Sequence, residues 1–276
     1  MSSPTDPLSS PLRAEGISLS YDRRRVIENL HVDVPAGSFT VIIGPNACGK
    51  STLLRALAGL LRPTSGTVLL DGSDIASYTA KHTARRLGLL PQGAVAPEGI
   101  TVAELVARGR YAHQRLLRQW SPADETAVTD ALDLTGVTDL ATRPVDELSG
   151  GQRQRVWIAM VLAQQTPLIL LDEPTTYLDI AHQIEVLNLL HELNGQGRTV
   201  VAVLHDLNHA ARYASNVIAM KDGRIVATGP PADVITADLV AGVFGLPNVV
   251  IEDPLTGTPL VVPADTRRPH QAVSGV

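Results

Sequence analysis

The chain has 276 residues, with 23 Lys and Arg against 28 Asp and Glu, for a formal charge of -5. That mild acidity speaks against a main role in binding nucleic acid, and an aromatic content of only 3% speaks against base-stacking platforms. The single cysteine, Cys48, can form no internal disulfide, and no apolar run approaches the roughly 20 residues that span a bilayer.

A soluble, cytoplasmic globular protein is therefore expected, in a compartment that keeps a lone thiol reduced. The N-terminus lacks a basic start followed by an apolar stretch, so no secretory signal is expected. Residues 1–12 are rich in Ser and Pro and are read as disordered. Phe39–Ile43 reads as a buried strand between two turn signals, Ala36-Gly37 and Gly44-Pro45. Residues 50–61 read as a helix with leucines along one face, ended by Arg62-Pro63 and Gly66. Strands are expected at 67–70, before the turn Asp71-Gly72, and at Leu87–Leu90, closed by Pro91. From 101 to 165 the pattern turns helical, with candidates at 101–110, 122–134 and 152–165. Strands return at 168–171 and 199–204, with a helix at 180–193 between them. Asp222-Gly223 joins strands at 217–220 and 224–227 as a hairpin, and 249–262 reads as another. Strand–helix alternation implies a mainly parallel sheet, interrupted by a helical insertion.

Two motifs carry the chemistry. Gly44-Pro45-Asn46-Ala47-Cys48-Gly49-Lys50-Ser51, followed by Thr52, fits G-x-x-x-x-G-K-[ST] between a strand and a helix. Glycines let the backbone N–H groups curl around phosphate oxygens, and the helix directs its positive end at the same place. Lys50 would reach the β- and γ-phosphates and the Ser51 hydroxyl would bind Mg²⁺. Four specified positions should arise by chance in roughly 1% of chains this long; the correct strand–helix context makes chance a poor account here. The second motif is the strand 168–171 ending in Asp172-Glu173-Pro174. Its acids would emerge where ligands sit in an open parallel sheet. Asp172 suits a Mg²⁺ ligand and Glu173 the group that orients or deprotonates the attacking water. No His/Cys cluster has the spacing of a zinc or iron site.

Between these motifs lies Leu148-Ser149-Gly150-Gly151-Gln152, ahead of a helical run. With it, residues 13–263 closely resemble the ATP-binding subunit of ABC transporters. The resemblance implies an α/β P-loop NTPase core of the ABC type: a mainly parallel sheet, a small antiparallel β subdomain and an inserted helical subdomain. It divides the chain into an ATP-binding core at 13–91 and 166–245, a helical subdomain at about 92–165 and a C-terminal hairpin at about 246–263. The tail 264–276 is expected to be disordered. By the same resemblance Gln92 would be a switch touching Mg²⁺ and water, His205 a switch histidine, and Tyr21 a ring stacked on adenine. Asp179, after Tyr177-Leu178, would belong to an interface loop. Taken alone, Gln92 is an ordinary loop residue and Tyr21 an ordinary packing residue; their register with the motifs lifts them above that.

The turn Ser149-Gly150-Gly151 is itself an anion site at a helix start. The resemblance implies a head-to-tail dimer in which each ATP is sandwiched between the first loop of one copy and this turn of the other. It further implies membrane permease subunits, an external substrate-binding protein, no nucleic acid, and a peripheral place on the cytoplasmic face of the membrane. Residues 105–113, 174–183 and 204–210 resemble the importer ATPases for ferric siderophores. Vitamin B12 and haem importers remain alternatives, and a soluble ABC protein acting on ribosomes or DNA is a further one from another class. Cys48 departs from the usual composition of the loop; it is read either as a reactive thiolate activated by the helix N-terminus or as an inert core side chain.

Overall fold

The computed structural model describes residues 10–22, 24–114 and 120–265. In chain order the strands and helices are β1 (Leu12–Tyr21), β2 (Arg24–Val34), β3 (Phe39–Ile43), α1 (Lys50–Leu57), β4 (Ser65–Leu70), β5 (Ser73–Asp74), α2 (Ala80–Arg86), β6 (Leu87–Leu90) and α3 (Val102–Ala107). There follow α4 (Pro122–Leu134), α5 (Gly150–Ala163), β7 (Leu168–Asp172), α6 (Ile180–Gly195), β8 (Thr199–Val203), α7 (Leu207–Tyr213) and β9 (Asn216–Lys221). The chain closes with β10 (Arg224–Gly229), α8 (Pro231–Val234), α9 (Ala237–Phe244), β11 (Asn248–Glu252) and β12 (Pro259–Pro263).

The central sheet has the order β10-β9-β3-β8-β7-β6, parallel except for the β9–β10 hairpin. All five residues of β3, β7 and β8 are buried, which is why they read as continuous apolar runs. Successive side chains still point to opposite faces, and they feed two separate cores. Val41, Ile169, Leu171, Val200 and Ala202 join a core filled by α3, α5 and α6. Their neighbours Ile42, Leu168, Leu170, Val201 and Val203 join a second, filled by α1 and the antiparallel sheet β2-β1-β4-β5. One sheet thus binds the helical part on one face and the antiparallel part on the other.

Several expected boundaries move. The first strand starts at Leu12, which is fully buried, and Ser10 donates to the Val34 carbonyl at 2.8 Å. Residues 10–12 therefore belong to the fold, while 1–9 and 266–276 lie outside the described residues. Ala264, counted in the tail, still donates to the Pro247 carbonyl at 2.8 Å. Helix α1 stops at Leu57, before Arg62-Pro63. Gly59, at φ 72, donates to Ala56 while Leu60 donates to Arg55, the paired bonds of a glycine-terminated helix. Strands β1 and β2, which the apolar pattern does not announce, pair through several register shifts. Buried residues still alternate along each strand, with a single break in each, at Glu15-Gly16 and at Glu28-Asn29.

The helical part is knotted by one buried ion pair. Arg110, in a 3-10 turn at Arg108–Ala112, donates to Asp124 on α4 at 2.8 Å, with side chains 5% and 8% exposed. Its guanidinium also donates to the Ala163 carbonyl at 2.7 Å and to Gln165 at 3.1 Å, at the end of α5. Burial works against the Asp124 charge, but the Ser121 hydroxyl and Arg110 outweigh it and hold the carboxyl below the usual aspartate range. The pair's contribution is thus present above that ordinary range and is lost as pH falls through the lowered value. Asp124→Ala, which strands the guanidinium, should destabilise the chain by about 3 kcal/mol in urea unfolding. A loss under about 1 kcal/mol would mean that Arg110 finds other acceptors.

Candidate functional site

Four neighbouring parallel strands, β3, β8, β7 and β6, end on the same edge of the sheet; Asp172 is the last residue of β7, and Gly44, Gln92, Glu173 and His205 follow within two residues of a strand end. After β3 the chain turns at Gly44, where φ is 153 and an added Cβ would lie 2.3 Å from the Met220 carbonyl oxygen. No side chain fits there, so the loop rests directly on the backbone of β9. The turn after β9 supports it again, with the Gly223 amide donating to the Cys48 carbonyl at 3.0 Å. The loop then enters α1 through Gly49, which caps the helix. Lys50 is 5% exposed, and its ammonium donates to the Gly44 and Pro45 carbonyls at 2.8 and 2.9 Å. An ammonium has three donors, so one is left for an anion held by the loop.

Ser51 donates to Asp172 Oδ1 at 2.9 Å across the site. Asp172 is 2% exposed, and its Oδ2 has no hydrogen-bond partner. Burial pushes the Asp172 carboxyl above its usual value, opposed by the Ser51 hydrogen bond. A buried orphan carboxylate oxygen beside a hydroxyl is a donor set suited to a hard oxygen-seeking cation such as Mg²⁺.

Glu173 has φ 56, a left-handed backbone that costs a non-glycine residue about 1–3 kcal/mol and persists only where surroundings impose it. Its Oε1 lies 2.6 Å from His205 Nε2, and its Oε2 accepts from the Thr176 hydroxyl at 3.2 Å. Tyr21, Asn46, Ala47, Gly49, Lys50, Ser51, Thr52, Gln92, Glu173 and His205 line one cleft of about 1070 Å³, with Asp172 buried beneath Ser51. The sequence reading missed Arg24, Arg25, Val26, Asp222 and Gly223, which also line it. Adjacent arginines just after Tyr21 were the available signal; nothing in the sequence tied the distant hairpin turn to the loop.

Gly44, Pro45 and Cys48 shape the loop from behind and do not line the cleft. The Cys48 thiol is 4% exposed within the second core, and burial pushes its pKa up against the pull of Lys50 and the backbone amides. The inert reading of this residue is the one the structure supports, and the reactive-thiolate expectation is corrected.

Ser149, Gly150, Gly151 and Gln152 lie outside the cleft lining as well. Ser149 caps α5: its hydroxyl accepts from the Gln152 amide at 3.2 Å, and the Gln152 side chain accepts from the Ser149 amide at 3.1 Å. The amides of Gly150 and Gly151 are left without intrahelical acceptors at an exposed helix start. Asp179 is also apart from the cleft. It caps α6 by accepting from the His182 amide at 3.0 Å, and its side chain is 65% exposed. That amide, with the His182 ring, lowers its pKa.

A glycine-rich strand-to-helix loop facing two strand-end carboxylates, with a second glycine turn at a helix start outside the cleft, defines an ATP-binding cassette. The ABC transporter family model matches residues 27–176, and the chain belongs to that family as an ATP-binding ATPase subunit. The ferric enterobactin transport ATP-binding protein FepC of Escherichia coli (strain K12) is 57% identical over 95% of this chain and 97% of its own. The petrobactin import ATP-binding protein FpuD of Bacillus anthracis is 53% identical over 93% and 94%. The hemin import ATP-binding protein HmuV of Rhodococcus jostii (strain RHA1) stands lower, at 43% over 96% and 92%. Among solved structures, an inward-facing transporter described as of the metal-chelate type matches with TM-score 0.79 at 30% identity, covering 94% of this chain and 99% of that one. The dimeric cassette MJ0796, in a post-hydrolysis state with ADP and phosphate, matches with TM-score 0.72 at 28% identity over 79% and 98%.

Native chain should react only slowly with N-ethylmaleimide at neutral pH and label fully once denatured. Rapid labelling of the folded chain would mean that the loop opens around Cys48.

Proposed function

We propose that this chain hydrolyses ATP to drive uptake of a ferric siderophore through a membrane permease. The observation that carries the hydrolytic reading is the convergence of Lys50, Ser51, Asp172, Glu173, Gln92 and His205 on one strand edge. The substrate class is supported by relatives named for siderophore transport at 53–57% identity over nearly the whole chain, above the hemin relative.

In this reading the loop amides and Lys50 hold the β- and γ-phosphates, and Tyr21 stacks on adenine. Glu173 takes a proton from water as the water oxygen attacks the γ-phosphorus, and the bond to the bridging β–γ oxygen breaks, leaving ADP and phosphate. His205, bonded to Glu173 Oε1, keeps the carboxylate turned toward the attacking water. Ser51, Asp172 and Gln92 would hold Mg²⁺, which neutralises charge on the phosphate oxygens. The Ser149 turn, outside the cleft lined by Lys50, serves a second copy in this reading, and two chains close head to tail over two ATPs; the dimeric cassette of similar fold supports it. Among the described residues no helix is long and apolar enough to cross a membrane. Membrane attachment, on the cytoplasmic face, then comes through the permease, which works with an external substrate-binding protein. Exposed Arg108 and Tyr111, the latter 76% exposed, lie in the 101–111 stretch, which together with Gln92 is where the family resemblance implies that a permease helix docks.

Glu173→Gln keeps the shape and removes the base. It should lower turnover by about 10²–10⁴-fold while ATP binding survives, and ATP with Mg²⁺ should then hold two chains together in size measurements. A variant that binds ATP yet stays monomeric would sink the sandwich for the isolated subunit. Tyr111→Ala should impair uptake of iron-loaded siderophore in cells while basal ATPase activity stays near wild type. Equal loss of both in a stable protein would make Tyr111 structural.

A further inference from the structure

The strained backbone of Glu173 needs something to hold it. Inside its own loop Thr176 bonds it twice, through the hydroxyl at 3.2 Å to Oε2 and through the amide at 3.3 Å to the Glu173 carbonyl. From outside the loop His205 meets the side chain, and α5 meets the backbone. Gln154 Nε2 donates to the Pro174 carbonyl at 3.0 Å and lies 3.5 Å from the Glu173 carbonyl oxygen. Both neighbours are carbonyl oxygens, so the group that faces them must be the amide NH₂.

Two more contacts join the same helix to the same loop. A Cβ placed on Gly150 would lie 3.5 Å from Tyr177 Cβ, and one on Gly151 would lie 3.3 Å from Leu178 Cδ2. Residues 150, 151 and 154 share a helix face by their spacing, and that face meets the loop at Pro174, Tyr177 and Leu178. The start of α5 is therefore packed directly against the loop carrying Glu173.

We propose that Gln154 is a positioning residue for ATP hydrolysis: its amide fastens the backbone of Glu173 and Pro174 to the helix that begins with the Ser149 turn. This rests on Glu173 being the base. In the head-to-tail dimer the Ser149 turn faces the partner's ATP and Glu173 faces its own, so the tie runs between the two sites. An approach of phosphate to the Ser149 turn then reaches the carboxylate of the other site through Gln154, without any ligand touching Gln154 itself.

The test compares Gln154→Glu, which keeps the length and loses the donor, with Gln154→Leu and with Gln154→Lys, which restores a donor. For each full-length chain kcat and KM for ATP, binding of trinitrophenyl-ATP and the melting temperature are measured. The expected result is a fall in kcat of about tenfold or more in the Glu and Leu variants. Nucleotide binding and melting temperature should stay near wild type, and the Lys variant should recover much of the rate. Wild-type kcat in the Glu and Leu variants would overturn the proposal. So would a parallel loss of nucleotide binding and melting temperature, or a Lys variant as slow as the Leu one. Glu173→Gln, run alongside, keeps the foundations separate: turnover surviving there would remove the base assignment and overturn the proposal by that route.

Discussion

The whole site depends on a sheet buried on both faces. Residues of β3, β7 and β8 alternate between two cores, so neither face can be turned to water without exposing several aliphatic side chains. That constraint holds the strands parallel and in register, and their carboxyl ends come out together on one edge. Gly44, Asp172 and His205 are far apart in the chain yet come to one edge because each lies at or just beyond the end of such a strand. The phosphate loop, two carboxylates and an imidazole share this edge, and the neighbouring β9 and α5 then hold their backbones in place.

Electrostatics completes what packing begins. Lys50 and Asp172 are among the few charged groups that are almost fully buried. Each is partnered on one side and left with unused hydrogen-bonding capacity on the other. Burial of this kind is unfavourable unless ligands of the opposite sign complete it. In the reading proposed above, the γ-phosphate end of ATP and a hard cation would supply that complement, phosphate at the ammonium and cation at the carboxylate. The strained backbone at Glu173 belongs to the same pattern: a local conformational penalty, imposed by neighbours, that aims a carboxylate into the cleft.

The placement of α5 gives the cassette its dimeric logic. The helix starts with exposed amides, away from the cleft lined by Lys50, yet its first turns pack on the loop that carries Glu173. One helix thus has an exposed N-terminal end and a flank on the loop that carries Glu173. At its other end the Arg110 guanidinium anchors it to α4 and to the face bearing Tyr111. The surface proposed for the permease and the surface proposed for the second ATP are therefore ends of one packed unit.

Local chemistry was legible wherever one short segment contained the whole signal. The phosphate loop between its strand and helix, the Asp172-Glu173 strand end, the Ser149 capping turn and the Asp222-Gly223 hairpin could all be read in this way. Each depends on backbone conformations and spacings that neighbouring residues set by themselves. Features that depend on distant partners were not legible. Strands β1 and β2 were left unassigned although Leu30, Val32 and Val34 alternate, because one break in each cuts the pattern into short pieces, and the end of α1 was set by Gly59 and not by the more conspicuous proline. The fate of Cys48 turned on a core assembled from β1, α1 and the central sheet, which buried a thiol that its loop position alone would have activated. Arg24, Arg25 and Asp222 joined the cleft, and Gln154 reached Pro174, only because separate elements packed together. Sequence alone determined which groups could bind phosphate and move a proton, since that chemistry is intrinsic to the residues. Tertiary structure decided which of them face one another, since burial and long-range contact exist only once the two cores have formed.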